Sequence, residues 1–252
     1  MTPLSRNDFG DEALDRRSGV AVVLTVLIAF LVGEVVAGIF VSVGAALCGY
    51  HGGLIAISKS AHPPAWSTLA TLAGLWVGYV GGFFVMRRIS PSAPFASLFR
   101  VKWSDATYVV VGVVMQLAVV LAYAPFHLRH FSKPTDKLFS GTSGLGFVVL
   151  CVVTATVVPI LEELFFRATL LPGLIGLFGS PSRRLTTIAA IVVDGTLFAL
   201  AHGELAQFVG LAFVGMVFAY LFVRSGRLAP SALAHMAFNA TALVSVIAHR
   251  IT

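Results

Sequence analysis

Charge is what this sequence has least of. Only 11% of its 252 residues are Asp, Glu, Lys or Arg, while 58% are hydrophobic; a soluble domain carries roughly 25% charged residues. An ordinary water-solvated globule is therefore disfavoured, since too few polar groups exist to cover its surface, whereas a lipid-facing surface needs none. Cysteine is nearly absent. Cys48 and Cys151 lie in or beside apolar stretches and no CxxC pair occurs, which argues against a disulfide framework or a Cys-rich zinc site. No HExxH, GxGxxG or P-loop pattern occurs, which argues against zincins, dinucleotide enzymes and nucleoside triphosphatases. The net charge is +6, but no basic stripe is interleaved with aromatics, so nucleic acid is not the expected partner. The cations gather in short loops between apolar runs, where they set topology and meet anionic lipid.

Apolar runs are what the sequence has in abundance. They fall at about 19–48, 67–86, 106–125, 143–161, 185–201, 205–223 and 228–248, and runs of at least ~18 residues read as spanning helices. The expected fold is an all-α polytopic membrane helix bundle of 7–8 transmembrane helices. The stretch 164–178 is apolar but short and is interrupted by Pro172 and Gly173. It can prolong the preceding helix, lie at the interface or form an eighth span. Residues 1–18 read as a polar cytoplasmic tail, and the long run after them, without a cleavage site, as a retained first span. Residues 19–142 read as membrane helices without recognised motifs, and 143–252 as the catalytic membrane core.

With seven spans, one side of the membrane holds Arg6, Arg16, Arg17, Arg87, Arg88, Arg100, Lys102, Arg167, Arg183, Arg184, Arg224 and Arg227. The other holds only Lys59, Arg129, Lys133, Lys137 and Arg250. The positive-inside bias then puts the N-terminus in the cytoplasm; an eighth span nearly erases the asymmetry, which favours seven. Glycines recur at close spacing (Gly33 and Gly38; Gly78, Gly81 and Gly82; Gly210 and Gly215), as expected where helices approach closely.

Ionisable groups inside spans cost about 2.5–3.5 kcal/mol each on insertion scales, so those present merit a reason. They are Glu34, Glu162, Glu163, Arg167, Asp194, His202 and His235, with the polar Asn239. Glu163 and Arg167 are four apart and can pair on one helix face. Glu162 then lies about 100° round the helix, free to face a cavity and act as general base, or simply to meet water at the cytosolic helix end. Phe198 and His202 share a face, and Asp194, eight residues earlier, either orients that imidazole or bonds elsewhere. His235 and Asn239 project from one face of the last span and can donate to a developing oxyanion, or form an interhelical polar pair. Together these groups could hydrolyse a peptide bond. Glu162, His202 and His235 could instead form a two-His, one-carboxylate zinc set, so the cofactor is left open between none and Zn.

The patterns EExxxR at Glu162–Arg167, FxxxH at Phe198–His202 and HxxxN at His235–Asn239, in this order, resemble the CAAX-protease and bacteriocin-processing (CPBP, or Abi) family of intramembrane proteases. The stretch Val223–Pro230 before the last motif is also similar to that family. The resemblance covers about residues 143–245. It implies that Glu162 and His202 activate water, Glu163 with Arg167 braces the site, and His235 and Asn239 stabilise the oxyanion. It further implies a membrane-associated peptide or protein substrate, such as a CAAX-like C-terminus or a leader peptide. Two other readings stand beside it: a rhomboid-like serine protease using Ser143 of Gly141-Thr-Ser-Gly144 with His202, and a transporter or scaffold using Glu34, Asp194 and the histidines as a polar path. The seven-span topology leaves one difficulty, since it places Glu162 near a cytosolic helix end and His235 about 11 Å deep.

Overall fold

The computed structural model describes residues 14–89, 95–126, 133–179 and 183–251. Arg6 and Arg129 of the charge count, and residues 1–13 of the tail, lie outside them. The described residues form helices and no strand. Seven helices are long and apolar enough to cross a membrane. They are α1 (Arg16–Leu47), α2 (Ala65–Ile89), α3 (Thr107–Tyr123), α4 (Gly144–Phe178), α5 (Arg183–Ala201), α6 (Phe208–Ser225) and α7 (Leu228–Ile251). The chain is thus an integral membrane protein with an all-helical bundle. Large apolar side chains such as Leu24, Ile28, Leu31 and Val35 on α1, or Val110, Val114, Leu117 and Leu121 on α3, are exposed on its outside. Contiguous apolar surface on this scale is what lipid covers.

The segment 164–178 does not break away. It continues the helix that begins at Gly144, giving one helix of 35 residues, about 52 Å long at 1.5 Å per residue. That exceeds the ~30 Å hydrocarbon core, so α4 tilts or projects beyond it. The prolines are accommodated by two widened, π-helical turns, Val153–Val157 before Pro159 and Phe166–Leu170 before Pro172. A proline removes one backbone donor and its ring crowds the carbonyl four residues earlier; local π adjustment relieves both inside a membrane. Glu162 therefore sits in the middle of α4, 18 residues from Gly144 and 16 from Phe178, not at a cytosolic helix end. Glu162 and His235 are thereby brought within 3.5 Å of each other.

Glycine sets the closest approaches. A Cβ on Gly74 would lie 2.3 Å from the backbone of Ala37, and one on Gly78 2.2 Å from the Ala29 carbonyl, so α1 and α2 touch along their backbones. One on Gly112 would lie 2.0 Å from the Ala234 carbonyl, locking α3 to α7. By contrast Gly81 has open space, and Gly38 meets only a side-chain methyl at 3.9 Å. The principal core cluster joins Val22 and Val26 of α1, Tyr79 and Phe83 of α2, Phe165 and Leu171 of α4, Phe198 of α5 and Phe222 of α6. Phe165 and Phe166 are buried in this cluster, and Phe238 in a second one with Met115, Val214 and Phe218.

Loops that the seven-span topology puts on one side do meet. The Ser140 hydroxyl donates to the Ala61 carbonyl, and Arg250 donates to the carbonyls of Thr142 and Phe139. At the opposite end Arg227 makes a bidentate pair with Asp105, at 2.6 and 2.8 Å, and donates to the Arg100 carbonyl. Donating to Asp105 holds the Arg227 guanidinium above its ordinary pKa, so this latch stays charged at physiological pH.

Candidate active site

The middle of α4 carries the densest polar cluster. Glu163, Arg167 and Asp194 have fully buried side chains. Arg167 Nε lies 3.2 Å from Glu163 Oε2, the pairing expected from their i, i+4 spacing. It also lies 3.6 Å from Asp194 Oδ2, and Nη2 donates to the Gly215 carbonyl at 2.9 Å. The guanidinium stands over the Phe198 ring, 4.7 Å from its centroid. One cation thus balances two carboxylates in the bundle interior, with an aromatic face adding cation–π attraction. Asp194 accordingly bonds elsewhere than to His202. The two glycines Gly195 and Gly215 make this possible: their backbones nearly touch, bringing α5 against α6 at the level of the guanidinium.

His235 links this buried group to Glu162. Its Nδ1 lies 3.0 Å from Glu163 Oε1 and its Nε2 3.5 Å from Glu162 Oε2. Phe218 stacks on the imidazole with centroids 4.7 Å apart, and Phe198 meets it edge-on. The Glu162 side chain is 15% exposed while Glu163 is wholly enclosed. So of the two adjacent carboxylates one is walled in by its cation and the other is partly exposed, as their 100° offset on the helix allows.

The other motif residues lie on or beside the neighbouring helices, one of them against the first widened turn of α4. His202, just beyond the end of α5, is exposed, and its Nδ1 lies 2.7 Å from the Phe198 carbonyl. A carbonyl only accepts, so Nδ1 carries a proton here, and Nε2 is left as the acceptor of this tautomer. Phe198 packs on both imidazoles. Asn239 Nδ2 donates to the Thr154 carbonyl at 3.0 Å. That carbonyl lies in the first widened turn of α4, where the regular helical pairing is interrupted. Tyr79, stacked on Phe165 at 4.2 Å, lies within electrostatic reach of both Glu162 and Glu34. Glu34 itself is exposed on α1 and makes no ion pair with the motif residues among the described residues.

The proposed metal set does not assemble. Among the described residues no three His, Cys, Asp or Glu side chains are grouped so as to hold a metal ion. Glu162 and His235 approach each other, but His202 is not grouped with them as a third ligand. Ser143 stands at the exposed N-cap of α4, about 28 Å along the helix from Glu162, and its side chain makes no capping hydrogen bond. Sequence reasoning missed the Asp194–Arg167 pairing, the Thr154–Asn239 contact and Tyr79. Only the cost of a carboxylate in an apolar span marked Asp194.

Comparison with known proteins agrees with the motifs. Residues 143–241 match the profile of a family described as Rce1-like, type II CAAX prenyl endopeptidase. The chain is also 22% identical over 177 residues to "Putative membrane peptidase YdiL" of Bacillus subtilis (strain 168), a match covering 66% of this chain and 69% of that one. No solved structure gives a significant match. Over residues 143–241, where all three motifs lie, the chain is thus similar to the Rce1-like CAAX prenyl endopeptidases, the relationship that EExxxR, FxxxH and HxxxN indicate by themselves.

Proposed function

We propose that this protein is an intramembrane endopeptidase that hydrolyses peptide bonds of membrane-associated substrates, CAAX-like C-termini or leader peptides, with a water activated by Glu162. The observation that carries the reading is the contrast between two adjacent carboxylates, Glu163 enclosed and paired with Arg167, and Glu162 partly exposed beside His235 without a cation of its own. Glu162 takes the proton of the attacking water, and Nε2 of His202 accepts from the same water. Glu163, braced by Arg167 and Asp194, fixes His235. Asn239 donates its remaining N–H to the carbonyl oxygen as charge develops there. His235 joins it as a donor when both ring nitrogens are protonated, its Nε2 turning from the loose 3.5 Å contact with Glu162 to the oxyanion.

In this reading residues 143–252 form the catalytic core and the preceding spans support it from the side. The protein lies in the plasma (inner) membrane with its N-terminus in the cytoplasm, as the loop cations favour; Arg167, buried within α4, drops out of that count. No step passes through a metal, because the three residues that could have held one are not grouped. The decisive assay is cleavage by the purified full-length protein. Activity is expected to vanish in Glu162→Ala, with the protein still folded and inserted, and to survive a chelator. Loss with chelator would overturn the glutamate mechanism, and unchanged cleavage by Glu162→Ala would overturn the assignment of the base.

A further inference from the structure

Thr154 behaves unlike most threonines of the spans. Thr25, Thr156, Thr196 and Thr241 each turn the side-chain hydroxyl back onto the carbonyl four residues earlier, at 2.7–2.8 Å. Thr169, in the second widened turn, reaches the Leu164 carbonyl five residues back. This back-bonding is the ordinary way a threonine hydroxyl is satisfied in an apolar helix. The Thr154 hydroxyl is buried and has no hydrogen-bond partner. A buried hydroxyl left unpaired is unfavourable, and the arrangement makes sense where a partner arrives with a substrate.

Its position indicates which partner. The Thr154 carbonyl accepts from Asn239, so the residue that carries the unpaired hydroxyl is held directly by the proposed oxyanion donor. Thr154 and Glu162 are eight residues apart. In an unbroken α-helix they would lie about 80° from a common face. The stretch between them holds one widened turn and one regular turn; the widened turn takes up about one extra residue, which brings both onto the same side. Helical side chains lean toward the N-terminus, so the Glu162 carboxylate points along the helix toward Thr154. The donor role of His235, meanwhile, requires a doubly protonated ring, since Nδ1 is already directed at Glu163. A neutral His235 leaves Asn239 without a second donor.

We propose that the Thr154 hydroxyl is that donor, a catalytic group which with Asn239 binds the oxygen of the scissile carbonyl as it becomes an oxyanion. The proposal rests on the protease reading above. The water oxygen bonds to the carbonyl carbon and its proton passes to Glu162, while the C=O π electrons move onto the oxygen held by Thr154 and Asn239. Collapse reforms the carbonyl and breaks the C–N bond, and the proton on Glu162 goes to the departing amine.

The test uses the full-length protein in lipid nanodiscs, with a quenched fluorogenic peptide ending in a prenylated CAAX sequence, and with a phosphonate analogue of that peptide as a mimic of the oxyanion. Thr154→Val keeps the shape and removes the hydroxyl. It is expected to lower kcat by about 10²–10³-fold, the usual effect of losing one oxyanion donor, with KM within about twofold and Tm unchanged or raised. The phosphonate should bind more weakly by a similar factor. Thr154→Ser, which keeps a hydroxyl, should recover most of kcat. Wild-type kcat and phosphonate affinity in Thr154→Val, alongside a dead Glu162→Gln, would overturn the role of Thr154 and leave the protease reading standing. A lowered Tm that Thr154→Ser does not rescue would make the residue structural and overturn it as well. Equal activity of Glu162→Gln and wild type would instead defeat the protease reading itself.

Discussion

Arg167 shows most sharply how single residues hold this site. Its guanidinium is fully buried between Glu163 and Asp194 and bonded to the Gly215 carbonyl. Breaking a buried pair by removing one partner leaves uncompensated charge and costs about 3–5 kcal/mol. Arg167→Ala is therefore expected to lose the folded state, measured as a lowered Tm and aggregation on size exclusion. Glu162→Gln, at a partly open carboxylate, should keep the wild-type Tm and lose only cleavage. A normal Tm for Arg167→Ala would show that the cluster is not what holds α4, α5 and α6 together. The i, i+4 partner Glu163 was legible in the sequence because helix geometry alone dictates it. Asp194 was not, because its partner lies on another helix and is chosen by the glycine contact of Gly195 with Gly215. Spacing along one helix had pointed it at His202.

At the scale of elements, the sequence displayed seven apolar runs, and their limits agree with α1 to α7 to within a few residues except at α4. There Pro172 and Gly173 left 164–178 open between a prolonged helix, an interfacial stretch and an eighth span, and two widened turns let one helix run from Gly144 to Phe178. Glu162 thereby moved from a helix end to the middle of a helix. These turns have a functional cost that can be measured. Pro159→Ala restores the missing donor to the Ala155 carbonyl and permits a regular turn. It is expected to raise or preserve Tm while lowering kcat, because Thr154 and Asn239 then lose their placement relative to Glu162; undiminished kcat would refute that. The α3–α7 contact yields a second expectation. Gly112→Val drives a side chain into the Ala234 carbonyl and Ala237, displacing the helix that carries His235 and Asn239. A loss of about 1–3 kcal/mol, the usual cost of overpacking, should come with loss of cleavage. Gly81→Ala, which meets open space, should be silent by both thermal unfolding and activity.

For the whole molecule, composition alone announced the membrane, and the distribution of loop cations announced a sidedness that the packing supports independently. Residues near 61–63 meet Ser140, Gly141 and the carbonyls held by Arg250 at one end, while Asp105 and Arg100 meet Arg227 at the other. A second crossing within 144–178 would put Asp105 and Arg227, and Thr142 and Arg250, on opposite sides of the bilayer. Which end faces the cytoplasm can be read with the two native thiols. Cys48 is exposed just past the end of α1 remote from Arg16, whereas Cys151 is partly buried within α4. With the N-terminus in the cytoplasm, a membrane-impermeant maleimide added to intact cells should label Cys48 and lose that signal in Cys48→Ser. In that background Arg224→Cys, at an exposed position on the Arg227 side, should label only in inverted vesicles. The reverse pattern would turn the bundle over, and would place the widened first turn of α4, with Thr154, toward the cytoplasmic half of the membrane instead of the outer one.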